Sequence, residues 1–373
     1  MTIDNTAALD EERAARAVSA VVRPLVTVLG LLLVLALALL VPGPEHGAQT
    51  WGVLALFGLG PLLVVSVWWP PTAPARQRLP HPVTATLITV GLLVSAVVLA
   101  GVAMAIVGRF EVAGLFRDGS AQSAGITTPF PFAVPLGALV FVSMLHLTFV
   151  LEKWPFDRSR PLRDGIVALV FCWIFATVVY YLVANWQSVP AAALAHLGIR
   201  NPGGPVSALE LIAWLAWIAA LDVVVVFLWK GWPFSVIERQ MPRIWTATAT
   251  ILVVGSISYV ILRSGVGLDS NQVSAMAAMA IVAVFVQTIV LQDRLTKPIA
   301  SAGGKLLTGA LITLALAALF YGALLVLAKA TSDWVSIPPE LWITIAGLNV
   351  LAPTLITYDA IWTRPSPKPV AAQ

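Results

Sequence analysis

The sequence predicts an all-α, polytopic integral membrane bundle of about ten transmembrane helices. Three observations carry this: apolar residues far outnumber charged ones, apolar runs recur at spanning length, and Lys and Arg gather on alternate loops. Of the 373 residues, 59% are hydrophobic and 11% charged, against about 25% charged in an ordinary soluble domain, so most of the chain faces lipid rather than water. In lipid every backbone N–H and C=O needs an internal partner, and runs without alternating polarity make helices rather than a barrel.

The first apolar run, 25–41, follows a polar segment of mixed charge and ends at Pro42-Gly43-Pro44. It is of spanning length, longer than the apolar core of a cleaved signal peptide, and reads as the first span. Further runs cover 51–68, 84–108, 131–152, 165–184, 207–229, 245–262, 273–291, 305–328 and 341–362. Each even-numbered span ends near a proline: Trp69-Pro70-Pro71, Trp154-Pro155-Phe156, Trp232-Pro233-Phe234, Lys297-Pro298 and Trp362-Thr363-Arg364-Pro365. Trp favours the headgroup level and Pro ends a helix. Successive prolines lie 85, 78, 65 and 67 residues apart, the period of five tandem helical hairpins. The loops 109–130 and 185–206 are rich in Gly, Pro, Ser and Asn and read as plain connectors.

Orientation follows from the basic residues. Both tails and the loops after even-numbered spans carry seventeen Lys and Arg, the other side five. Both termini are therefore expected in the cytoplasm, with the chain in a bacterial-type plasma membrane. Residues 1–24 form a cytoplasmic N-terminal segment, 25–362 a single transmembrane domain and 363–373 a cytoplasmic tail.

Several chemistries are excluded. The pI near 9.4 comes from short loops rather than a basic block, so nucleic acid is not a partner. Phosphate-loop, H-E-x-x-H, C-x-x-C and G-x-S-x-G signatures are missing. Cys172 is the single cysteine and His46, His81 and His196 fall in loops, so no resident metal, haem or other cofactor is expected.

Chemistry must then sit on polar groups inside the spans, where an ionisable side chain costs at least ~2.5 kcal/mol. Of eighteen acids only Asp222 lies well inside a span, and His146 is the only histidine there. Asp222 is eleven residues before Pro233, Gln287 eleven before Pro298, Thr354 eleven before Pro365 and His146 nine before Pro155. Counted from these prolines, the four share one layer, roughly 10–12 Å inside the cytoplasmic end. Pro61 and Pro353 interrupt the second and tenth spans, and Pro353 would free the carbonyl of Asn349 in the manner of the broken helices of transporters. Ser274, Ala278, Gly101 and Gly108 read as helix-packing positions.

Glu152, Trp154 and Trp232 are candidates at the cytoplasmic corners, Glu152 beside Lys153, Arg158 and Arg160. The leading expectation is a carrier for a small solute, coupled to protons through Asp222, with His146, Gln287, Asn349 and Thr354 as polar contacts. Two alternatives stand beside it: a membrane-embedded enzyme acting on a lipid or hydrophobic compound, and a non-catalytic subunit that anchors or assembles a partner enzyme. Membrane lipids and a partner subunit or second copy are the remaining partners.

Overall fold

A computed structural model describes residues 44–73, 78–107, 132–156, 159–187, 191–196, 198–331 and 337–363, with single positions at 76, 130 and 189 and a few between 30 and 37. Most of the first span, nearly all of the 109–130 loop, the segment 1–24 and nearly all of the tail therefore lie outside the described residues.

The elements are α1 (Pro44–Leu63, then a π turn Val64–Trp68), α2 (His81–Ile106), α3 (Ala133–Phe149), α4 (Pro161–Val183), β1 (Ala184–Asn185), α5 (Ala191–His196), β2 (Val206–Ser207), α6 (Ala208–Leu228), α7 (Gln240–Gly265), α8 (Ser270–Val290), α9 (Ala302–Ala330) and α10 (Pro339–Trp362). Among the described residues, eight helices are long and apolar enough to cross a membrane, and α3 is a shorter apolar helix between them. They fall on the second to tenth spans. Proline in the first turn starts α2, α4 and α10, where its missing N–H is harmless. Asp269 and Gln272 close a reciprocal capping box at the start of α8.

The helices form two shells. α1, α3, α6, α8 and α10 close a ring in which each packs on the next and α10 returns to α1. Outside it α2 lies on α1, α4 on α3, α7 on α6 and α9 on α8. Burial separates the shells: the most apolar stretches of α1, α6, α8 and α10 are 44–72% buried, those of α2, α4, α7 and α9 only 11–28%. The exposed Leu, Val, Ile and Phe of the outer helices suit acyl chains. Small residues let the ring helices approach, among them Ala219 of α6 and Ala277 and Ala278 of α8, all fully buried.

At Gly137 of α3 an added Cβ would stand 2.8 Å from the ring of Phe57 on α1, itself stacked on Trp173 with centroids 6.2 Å apart. Gly137→Ala is expected to cost about 1–3 kcal/mol through this overpacking. Gly91→Ala on α2 meets open space and is the control; thermal unfolding of the two variants in one detergent checks the difference.

Three inner helices end in the same corner. The N–H groups of Leu151, Trp229 and Leu291 each reach back five residues, and those of Lys153, Gly231 and Asp293 six, to Leu147, Val225 and Gln287 at 2.9, 2.8 and 3.1 Å. Two left-handed residues follow each time: Glu152 and Lys153, Lys230 and Gly231, Gln292 and Asp293. The internal repeat is thus backbone geometry. Its register is not that of the prolines, because Pro155 and Pro233 lie three residues after the first left-handed position and Pro298 six.

Two expectations change. The 185–206 segment is not a plain connector: β1 and β2 pair in parallel, and Trp186 is buried, with its indole N–H donating to Tyr180. The prolines do not break their spans. Pro61 sits inside continuous α1, and Pro353 follows a π stretch, Ile345–Leu351, within an unbroken α10. The wider register absorbs the lost hydrogen bond.

Candidate functional site

The inner ring encloses a cavity of about 550 Å³, within the range that holds small molecules. α1, α3, α6, α8 and α10 all contribute to it and the outer helices do not. Its polar groups, Ser66, Thr288, Gln292 and Asp359, lie toward the corner end, and its deeper wall is apolar, with Phe141, Ile281 and Leu348. Phe141 precedes Glu152 by eleven residues, so the cavity runs roughly 16 Å inward at 1.5 Å per residue, about half a hydrocarbon core. Phe227 stands edge-on to both Phe149 and Phe285, with centroids 4.9 and 5.5 Å apart. Toward the far end Leu136, Leu211, Ala277 and Ile343 are buried and line no part of the cavity.

Behind this wall His146 and Asp222 meet. Each neighbours a lining residue, Leu145 on α3 and Val223 on α6, but neither lines the cavity, and His146 reaches the outer helix α7. His146 Nδ1 lies 3.1 and 3.2 Å from the two Asp222 carboxylate oxygens, and Nε2 lies 3.0 Å from Thr248 Oγ1. A carboxylate only accepts, so Nδ1 carries the proton facing it. The neutral ring then accepts the Thr248 hydroxyl at Nε2, and the imidazolium would donate to it. Asp222 is 1% exposed and His146 14%. The arrangement is a short hydrogen-bonded chain of hydroxyl, imidazole and carboxylate across three helices.

The other candidates take separate partners. Gln287 accepts from Thr313 of α9 at 2.8 Å and turns away from the cavity that Thr288 lines. Asn349 donates to the Gly52 carbonyl on α1 at 2.8 Å, and Thr354 back-bonds to Val350. The single layer counted from the prolines is thereby corrected. In the register of the corner Asp222 is equivalent to Met144 and Val284, whereas His146 is equivalent to Val224 and Val286. His146 and Asp222 still touch because the offset is two residues, about 3 Å along the helices.

At the corners Glu152 forms a two-pronged pair with Arg243 at 2.7 and 2.8 Å. Trp154 stands edge-on to Trp245 and Trp232 edge-on to Trp229. Lys153 donates to the Val67 carbonyl at 3.0 Å and covers the Trp68 ring, tying the first of these corners to α1.

Sequence reading missed three groups. Thr248 and Thr313 lie on outer helices that look like lipid-facing apolar runs. Glu210, Arg263, Tyr259 and Ser270 form a charged cluster joining α6, α7 and α8 at the end away from the corners, where Arg263 pairs with Glu210 and both hydroxyls hydrogen-bond to its carboxylate. A signal for it existed: Glu210 opens one span and Arg263 closes the next, so antiparallel neighbours bring the opposite charges to one height. Among the described residues no group of three or more His, Cys, Asp or Glu is placed to hold a metal. Neither a protein-family model, a curated protein nor a solved structure matches the chain.

Proposed function

We propose that this multi-pass membrane protein is a carrier for a small solute, coupled to protons through Asp222. The observation that carries the reading is the cavity on the axis of the inner ring, polar toward the corners and packed shut beyond its apolar floor, as expected for a carrier open to one side. The solute has an apolar body that suits the phenylalanines and a polar end that suits Ser66, Thr288, Gln292 and Asp359. The His146–Asp222 pair lies one residue behind the lining on both α3 and α6. A change in its protonation alters the contact between two ring helices, which is the coupling a carrier needs.

Ten spans as five hairpins, both termini in the cytoplasm and residence in a plasma membrane complete the reading, supported by the charge asymmetry of the loops. Reporters fused after Pro71, Phe156, Phe234 and Gln373 are expected on the cytoplasmic side and those within 185–206 outside. One fusion on the opposite side overturns the orientation.

The functional test is uptake into proteoliposomes of a panel of amphipathic solutes, with and without a pH gradient. No uptake of any above protein-free vesicles counts against a carrier. A second reading, an enzyme acting on a lipid or hydrophobic substrate, is favoured by the order Thr248, His146, Asp222, because a hydroxyl on an imidazole backed by a carboxylate is the arrangement that activates nucleophiles. Breakdown of vesicle lipid that disappears in Thr248→Val selects that reading.

A further inference from the structure

A second concavity, of about 600 Å³, lies on the outer surface between α2 and α4, with α1 as its floor. Its walls are almost wholly apolar, including Leu87, Ile88, Leu92, Ile166 and Leu169. Gly91 opens the middle, since a Cβ there would meet nothing within 4 Å. From Thr84 to Val98 along α2 the groove extends about 21 Å at 1.5 Å per residue. That length and composition match one acyl chain lying along the protein.

The end of the groove nearest the corners is cationic. Arg76 is 5% exposed, and its Nη1 donates to the carbonyls of Val65 and Trp69 at 3.2 and 2.9 Å, two residues of the groove wall. Its guanidinium covers the Trp69 ring at 5.3 Å, and among the described residues it forms no ion pair with a carboxylate. Burial pulls its pKa below the ordinary arginine value, the mark of a cation short of solvent. Arg78 and Arg163 are exposed and adjoin Leu79 and Leu162, both in the wall at this end; Arg163 Nε lies 3.6 Å from the buried Asp164 carboxylate, so three arginines stand against one acid and the end keeps a net positive charge.

We infer that the groove between α2 and α4 is a binding site for one anionic phospholipid, its acyl chain along Gly91 and its phosphate at the exposed Arg78 and Arg163, with the buried Arg76 adding positive charge behind them. Basic groups at the membrane surface favour anionic headgroups, and a guanidinium matches phosphate oxygens through its forked donors. The lipid belongs to the cytoplasmic leaflet, a detail that rests on the proposed orientation; the headgroup preference does not.

The test is native mass spectrometry of the full chain delipidated in detergent and titrated with phosphatidylglycerol or phosphatidylcholine of the same chains. The parent is expected to retain one phosphatidylglycerol in clear preference. Gly91→Leu, which fills open space, should lose it with thermal stability unchanged. Arg163→Gln, at an exposed position, should reduce the preference by about fivefold, the share of one basic group at a membrane surface. Equal retention of the two lipids by the parent, or undiminished phosphatidylglycerol on Gly91→Leu, overturns the inference. Retention of neither lipid by the parent overturns it as well and leaves the groove to a protein segment.

Discussion

Asp222→Asn in reconstituted vesicles is expected to leave folding and insertion nearly intact while abolishing the response of solute flux to a pH gradient. The amide has the shape of the carboxyl group and its oxygen still accepts from His146 Nδ1, 3.1 Å away in the parent, so the α3–α6 contact survives without a group that titrates there. His146→Ala is the harsher change. It strands a carboxylate that is 1% exposed, and removing one partner of a buried ion pair costs about 3–5 kcal/mol because the other charge remains. The variant should unfold at markedly lower temperature than Asp222→Asn, and His146→Leu with Asp222→Leu should recover part of the loss by removing both buried polar groups. If the pair is only interhelical glue, its coupling should be near 0.6 kcal/mol, and proton-dependent flux would persist in Asp222→Asn. That persistence would sink the role assigned to Asp222.

Filling the cavity is expected to have the second large effect. Ile281 of α8 and Leu348 of α10 line it from adjacent ring helices. Tryptophan at either position extends into the empty volume and should reduce uptake at least about tenfold, which needs only 1.4 kcal/mol against the bound solute. Overpacking would cost about 1–3 kcal/mol of stability if the indole were forced into the protein instead. The decisive observation is therefore flux together with thermal midpoint: lost uptake at an unchanged midpoint locates the pathway. Leu348→Met conserves volume and should transport normally. Full uptake in both tryptophan variants would remove the cavity from the route and leave the proton-coupling experiment to be judged on its own.

Much of the architecture was legible along the chain because lipid imposes a strict rule. A helix must be about twenty apolar residues long to cross, and its ends must meet headgroups, so α1, α2, α4 and α6 to α10 stand where length and hydropathy put them. The corners were legible as proline punctuation, although their shared geometry resides in the left-handed residues before the prolines. The chemical candidates were partly legible for the same reason: Asp222 and His146 stand out because polar groups in hydrocarbon are expensive, and the fold brings them into contact.

What the linear order could not decide is which helices face one another. Mean hydropathy overlaps between inner and outer helices, 1.5–2.5 against 1.8–2.5 and 2.5 for both α6 and α9, because lipid and protein interior are both apolar; only packing assigns α6 to the ring and α9 to its surround. The side chain that meets an intramembrane polar group has no counterpart signal in one dimension either. Thr248 and Thr313 look like any threonine in a span until the helices are packed. The sequence by itself determined a helical membrane bundle and where its eight long apolar helices stand among the described residues, because those depend on a segment's transfer from water to lipid. The tertiary structure decided the ring, the cavity and the partners of Asp222, Gln287 and Asn349, because those depend on contacts between segments far apart in the chain.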